Sequence, residues 1–240
     1  MSGVAPGTAP GTAPGIALQG VHVRLGDTDV LRDVTLALDA RTIAVVGENG
    51  SGKSTLARLL SGLVVADDGT VRVLGLDPVR QAAELRRRVA VIFSNPDAQI
   101  VMPTVAEDVA FSLRTEKLPR AEKAERVAAA LDQFGLAELA DRSSHDLSGG
   151  QKQLLALCGA FVRRPDLVVA DEPTAYLDAR NARRVADHLL ADASHRLVLV
   201  THDLGLAQRC ETAVLVQDGT VTEVGDPAQV IAMYEAGIRW

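Results

Sequence analysis

Residues 47–54 read Gly-Glu-Asn-Gly-Ser-Gly-Lys-Ser, a glycine-rich octapeptide ending in a lysine and a hydroxyl. This order fits the phosphate-binding loop G-x-x-x-x-G-K-[ST]. Gly47, Gly50 and Gly52 let main-chain N–H groups close around phosphate oxygens at a helix N-terminus, Lys53 neutralises β- and γ-phosphate charge, and the Ser54 hydroxyl is a Mg²⁺ ligand. With Glu48, Asn49, Ser51 and the following Thr55, the segment is expected to hold a nucleotide. A second set of residues complements it. The apolar run Leu167-Val168-Val169-Ala170 ends in Asp171 and Glu172, which places two carboxylates at the C-terminal edge of a sheet, where open α/β folds bind ligands. Asp171 is expected to hold Mg²⁺ or its water shell, and Glu172 to polarise the water that attacks the γ-phosphate. Strand-end carboxylates also serve as helix caps, so the pair gains its meaning from the phosphate loop beside it.

The flanking sequence supplies elements that could position these groups. The fully apolar Ile43–Val46 reads as a buried strand and Thr55–Leu63 has helical leucine spacing, so the glycine loop lies between strand and helix as its motif requires. Further strands are predicted at Val21–Leu25, Val34–Leu38, Thr70–Leu74, Val89–Phe93, Leu167–Ala170 and Leu197–Thr201, with a hairpin turning at Asp218-Gly219. Helices are predicted at Gln81–Arg88, near Asp178–Leu190, at Leu204–Cys210 and after Asp226-Pro227. Between about 94 and 165 the β pattern disappears. Val105–Leu113, Arg120–Phe134 and Gly149–Phe161 read there as helices, punctuated by Pro96, Pro103 and Pro119. Strands alternating with helices imply a parallel sheet. Residues 5–15 carry an Ala-Pro-Gly-Thr period too rich in Pro and Gly to pack a core, and 1–15 are expected to form a flexible tail before a domain over 16–240.

Composition narrows the function classes. The 240 residues contain 25 Lys and Arg against 31 Asp and Glu, a formal net charge of −6, which disfavours binding to nucleic acid through phosphate neutralisation. Hydrophobic residues at 47% and charged residues at 23% exclude a wholly disordered or collagen-like chain. The best apolar stretch, Leu154–Val162, is far too short to span a bilayer. The N-terminus has neither the basic nor the apolar region of a secretory signal. Cys158 and Cys210 lack metal-site spacing and are expected to be free thiols in a reducing compartment. His22, His145, His188 and His195 show no metal-site spacing either and read as structural.

Leu147-Ser148-Gly149-Gly150-Gln151 resembles the signature of the ABC ATPase family. Its serine and glycines open a helix and so provide another anion-binding terminus. Asp171-Glu172-Pro173-Thr174 is similar to that family's second Walker motif, Ala175-Tyr176-Leu177-Asp178 to its D-loop and Thr201-His202-Asp203 to its switch region. The resemblance runs from about Ile16 to Glu235. It implies an α/β fold with a P-loop NTPase (RecA-like) core on a mainly parallel sheet, an N-terminal antiparallel β subdomain and an inserted α-helical subdomain. It also implies ATP and Mg²⁺ as cofactors, two subunits that sandwich ATP between phosphate loop and opposite signature, His202 at the γ-phosphate as a catalytic residue with Glu172, and Asp178 linking the two sites. The partner subunit is a second copy or a second ABC ATPase. Two positions depart from the pattern. Leu25 stands where an aromatic usually stacks on adenine, and Ser94 where a Mg²⁺-binding glutamine follows the strand, leaving Ser94 or Gln99 as its substitute.

Phe93-Ser94-Asn95-Pro96-Asp97-Ala98-Gln99 and Pro103-Thr104-Val105-Ala106-Glu107-Asp108-Val109-Ala110-Phe111 resemble the energy-coupling-factor (ECF) branch, the ATPases of vitamin and metal uptake. Only about ninety-five residues separate Lys53 from Ser148, too few for the coiled-coil insert of DNA-repair relatives, and one cassette distinguishes the chain from two-cassette translation factors. The ECF resemblance implies an integral membrane coupling subunit held in a groove near Asp97, Glu107 and Asp108, a membrane substrate-binding subunit, no nucleic-acid partner and a peripheral place on the cytoplasmic face of the membrane. Thr174–Asn181, the turn Asp39-Ala40-Arg41 and a C-terminus close to the nucleotide core look most like biotin-uptake ATPases. Cobalt, nickel or another vitamin is the alternative substrate, and a non-ECF or soluble ABC ATPase the alternative class. The bland alternative is an Asp- and Glu-capped helix with Glu107 and Asp108 near its positive end.

Overall fold

A computed structural model describes residues 15–191 and 194–238. The expected tail over 1–15 lies, but for Gly15, outside the described residues. Gly15 donates its N–H to Asp39 Oδ1 and accepts from Leu74 N, so it already belongs to a sheet margin.

Among the described residues, nine strands form two sheets. β1 (Ile16–Leu25), β2 (Thr28–Leu38) and β4 (Asp68–Val73) make a three-stranded antiparallel sheet in the order β2-β1-β4. The larger sheet contains β3 (Thr42–Val46), β5 (Val89–Ile92), β6 (Leu167–Asp171), β7 (Arg196–Val200), β8 (Thr212–Gln217) and β9 (Thr220–Gly225). Its order is β5-β6-β7-β3-β8-β9, parallel except for the last hairpin. The turn of that hairpin, Asp218-Gly219, has φ of 47° and 76°, the two positive values that a type I′ connection demands.

Uninterrupted apolar runs form the central strands because both sheet faces are covered. Alternation sorts their side chains. Ala44, Val46, Val168, Ala170, Leu197 and Leu199 face one layer, while Ile43, Val45, Leu167, Val169, Val198 and Val200 face the other. The second layer is closed by the small sheet with α1 (Lys53–Leu60) and α2 (Ala82–Arg88). The first is closed by α3 (Val105–Ser112), α4 (Arg120–Gln133) and α5 (Gly149–Phe161), all inserted between β5 and β6, and by α6 (Ala179–Ala191), α7 (Leu204–Ala207) and α8 (Pro227–Ile238). Each buried Leu, Ile or Val contributes about 1.5–3 kcal/mol. The expected α/β fold, with antiparallel β sheet and helical insertion, is the one observed.

Candidate functional site

The phosphate loop leaves β3 through glycines that no other residue could replace. Gly47 and Gly52 have φ of 146° and 106°, values that a Cβ makes costly. A Cβ on Gly47 would also run into the carbonyl oxygen of Val216, and one on Gly52 would lie 2.9 Å from Leu31 Cδ2 and 3.0 Å from Val30 O. The loop is therefore clamped between the two sheets. The hairpin turn contributes, because Gly219 N donates to Ser51 O at 2.9 Å. This turn reads from sequence as structural only, yet it braces the loop.

Lys53 is 7% exposed and donates its Nζ to Gly47 O at 2.8 Å and Glu48 O at 2.7 Å. Burial pushes its pKa down, against the opposing pull of Glu172, Asp171 and Glu48. Ser51 Oγ is buried with no hydrogen-bond partner. A buried ammonium bonded only to carbonyls beside an unpartnered hydroxyl suits an anion such as a nucleotide phosphate, which brings charge and acceptors together. Glu48, Asn49 and Gly50 lie on the exposed rim of the loop, with Gly50 in open space, and Thr55 is buried in the first turn of α1.

Asp171 stands at the end of β6 and Ser54 in the first turn of α1, where Ser54 Oγ donates to Asp171 Oδ1 at 3.0 Å. Desolvation raises the Asp171 pKa and the Ser54 hydrogen bond opposes it. Glu172 follows at φ 51°, a region disfavoured for residues with side chains and recurrent at functional sites. Its N–H donates to Val200 O and its carbonyl accepts from Ala175 N, so both neighbours hold the turn. Its Oε2 lies 2.7 Å from His202 Nδ1. His202 is presented by a turn in which Asp203 N donates to Thr201 Oγ1 and Asp203 Oδ1 caps α7 through Leu206 N. One sheet edge thus collects the ends of β3, β6 and β7 with Lys53, Ser54, Asp171, Glu172 and His202.

Ser148 begins α5 with a capping box: its Oγ accepts from Gln151 N, and Gln151 Oε1 accepts from Ser148 N. Leu147 is buried beneath the turn while Ser148 and Gly149 are exposed. Asp178 caps α6, accepting from Asn181 N at 2.9 Å and Asn181 Nδ2 at 2.7 Å. Those two bonds hold its carboxyl below the usual range. Leu25 is 42% exposed at the end of β1, as an apolar contact for a base requires.

Two expected roles are corrected. Gln99 does not substitute for a metal-binding glutamine, because Oε1 accepts from Phe93 N at 2.9 Å and Nε2 donates to Val91 O at 2.8 Å. Its amide pairs with the outer edge of β5 as another strand would. Ser94 keeps that candidacy. Asp108 does not face a groove: it is 6% exposed, and its Oδ1 accepts from Val101 N and Met102 N. Glu107 closes a capping box with Thr104, and Asp97 pairs with Lys152 Nζ at 2.7 Å. Both remain exposed. Sequence reasoning does not single out Lys152 or Gln153. Gln153, 1% exposed, donates Nε2 to Phe93 O at 3.2 Å, so two consecutive residues of α5 grip the segment that leaves β5. Gln153 follows Gln151 and Lys152 in the polar start of α5, so its neighbours in the sequence do not mark it.

Residues 31–175 match the family described as ABC transporter. A Deinococcus radiodurans protein classed as an ABC transporter ATP-binding protein is 44% identical over 225 residues, covering 94% of this chain and 99% of its own. The energy-coupling factor transporter ATP-binding protein EcfA1 of Lacticaseibacillus paracasei is 40% identical over 209 residues, 85% of this chain and 74% of that protein. Among solved structures, cbiO1 from Clostridium perfringens, part of the ABC transporter complex cbiONQ, superposes with a TM-score of 0.83 at 26% identity over 95% of this chain and 96% of its own. Motif order, fold and relatives agree, and this chain is an ATP-binding ATPase of the ABC transporter family, of the energy-coupling-factor type.

Proposed function

We propose that two copies of this chain, or one copy with a second ABC ATPase, enclose ATP between the phosphate loop of one and the Ser148–Gln151 turn of the other, and that this cycle powers an ECF importer for biotin. The observation that carries the reading is the exposed signature. Gly149 is exposed, with nothing within 4 Å of where a Cβ would stand, so its own chain leaves room for a ligand that a second subunit brings. Ser54 and Asp171, with Ser94, would hold Mg²⁺, a hard cation suited to hydroxyl and carboxylate oxygens, which supplies charge neutralisation on the phosphates.

Within the site, Lys53 and the loop N–H groups bind the phosphates. Glu172 Oε2, 2.7 Å from His202 Nδ1 and buried without a hydrogen-bond partner, accepts a proton from the attacking water while His202 meets the γ-phosphate. Closure on ATP and reopening after hydrolysis would move a membrane coupling subunit seated over residues 96–111. Exposed Val101 (60%) and Phe111 (37%), with Glu107 and Asp97 beside them, support that placement, since an apolar patch rimmed by charge marks an interaction surface. No helix among the described residues is long and apolar enough to cross a membrane, so the reading has the chain peripheral on the cytoplasmic face. Biotin rests on the Thr174–Asn181 resemblance; cobalt or nickel is the second reading.

Isolation of the protein from its own cells' membranes in mild detergent tests this. Co-purification of an integral membrane subunit and a small substrate-binding membrane protein is expected, with bound biotin or a bound metal ion deciding the substrate. Recovery with soluble partners only would overturn the transport role and leave the ATPase.

A further inference from the structure

The two signature glycines occupy different surroundings. Gly149 faces open space, whereas a Cβ on Gly150 would lie 2.5 Å from Asn181 Cγ and 2.6 Å from its Nδ2. Gly150 is buried and its backbone is ordinary helix, absent from the positive-φ residues, so conformational freedom is not what requires a glycine there. The obstacle is a side chain from another element. Asn181 belongs to the first turn of α6, and its side chain is restrained by the bond from Nδ2 to the Asp178 carboxylate at 2.7 Å, while its backbone N–H holds the same carboxylate at 2.9 Å.

We propose that Asn181 is a positioning residue which locks the signature turn at Gly150 to the Asp178 carboxylate of the same chain, so that the two groups meet a second subunit as one rigid surface. The inference deepens the ATP-sandwich reading and rests on it. In that arrangement neither Gly150 nor Asp178 serves the nucleotide held by its own phosphate loop. Loosening Asn181 therefore leaves ATP capture intact and damages the step that needs both subunits in register. A displacement of about 1 Å in such a group costs up to roughly a hundredfold in rate.

The test measures MgATP affinity on the free chain and hydrolysis by the complex purified from membranes, for Asn181→Ala, Asn181→Asp, Gly150→Ala and the Gly150→Ala/Asn181→Ala pair. Asn181→Ala is expected to keep the Kd for ATP and the wild-type melting temperature within a few degrees, while kcat falls by about tenfold or more. Asn181→Asp keeps the volume but turns a donor into a second carboxylate against Asp178, so it should lose more kcat than Asn181→Ala and serves as the readout if the smaller side chain unfolds α6. Gly150→Ala should cost markedly less in the Asn181→Ala background than alone, because the added methyl then has room. Equal kcat for Asn181→Ala and wild type, or additive losses in the pair, would overturn the proposal. The underlying reading fails separately, through a Glu172→Gln control whose turnover is undiminished.

Discussion

Glu172 occupies a left-handed conformation at φ 51°, which costs a residue with a side chain about 1–2 kcal/mol. The structure holds it there through Val200 O and Ala175 N, and the result is a carboxylate whose buried Oε2 has no hydrogen-bond partner, 2.7 Å from His202 Nδ1. Replacing that carboxylate by an amide keeps shape and backbone but removes the proton acceptor. Glu172→Gln is expected to bind ATP normally and to lower kcat by about 10²–10⁴, with an ATP-dependent dimer accumulating on size-exclusion chromatography; phosphate release at the wild-type rate would defeat the assignment. Lys53 predicts the opposite split. Its Nζ both ties the loop to itself through Gly47 O and Glu48 O and presents charge to the ligand. Lys53→Met should therefore weaken ATP binding by about 3 kcal/mol, roughly a hundredfold in Kd by titration calorimetry.

At the scale of elements, Asp108 shows how an acidic residue in a capping position is drawn inward. Its Oδ1 accepts from Val101 N and Met102 N, fixing the loop that enters α3. Asp108→Ala leaves two N–H groups in a half-buried loop without that acceptor, an expected loss of about 3 kcal/mol in urea denaturation. Asp108→Asn keeps an acceptor oxygen and should lose less; equal losses would mean that the carboxylate's geometry is not what holds the loop. Such roles mark where sequence reading stops. The strands β3, β6 and β7 are legible because burial on both faces demands unbroken apolar runs, and the phosphate loop because its glycines have a backbone reason. The early start of β1 at Ile16 is less visible, since irregular register between Leu18 and Val21 breaks the alternation. Asp108, Gln99 and Asn181 look like surface polar residues in one dimension. Each gains its role from a partner on another segment or from a loop turned back on itself, which spacing does not encode.

Across the whole molecule, the central sheet separates two apolar layers, and both cysteines lie in the one under the helices. Burial pushes the thiol of Cys158 up to about 12 and that of Cys210 up to about 11. A thiol whose folded pKa is raised keeps its proton in the native state while the unfolded chain, with a value near 9, loses it. Between pH 9 and those folded values the native state binds more protons, so stability falls as pH rises. The slope is about 1.4 kcal/mol per pH unit for each thiol. Denaturation midpoints should hold steady between pH 7 and 8.5 and drop between pH 9 and 11, and the drop should shrink in a Cys158→Ala/Cys210→Ala variant measured against its own neutral-pH stability. The same burial governs labelling by a thiol reagent at pH 8: both cysteines should react only at the rate at which the helical layer opens, and ATP should slow them in proportion to its stabilisation of the closed site. Rapid modification of the native chain would show that this layer opens independently of the sheet it covers, and would remove the basis for treating α5 and α6 as a single surface.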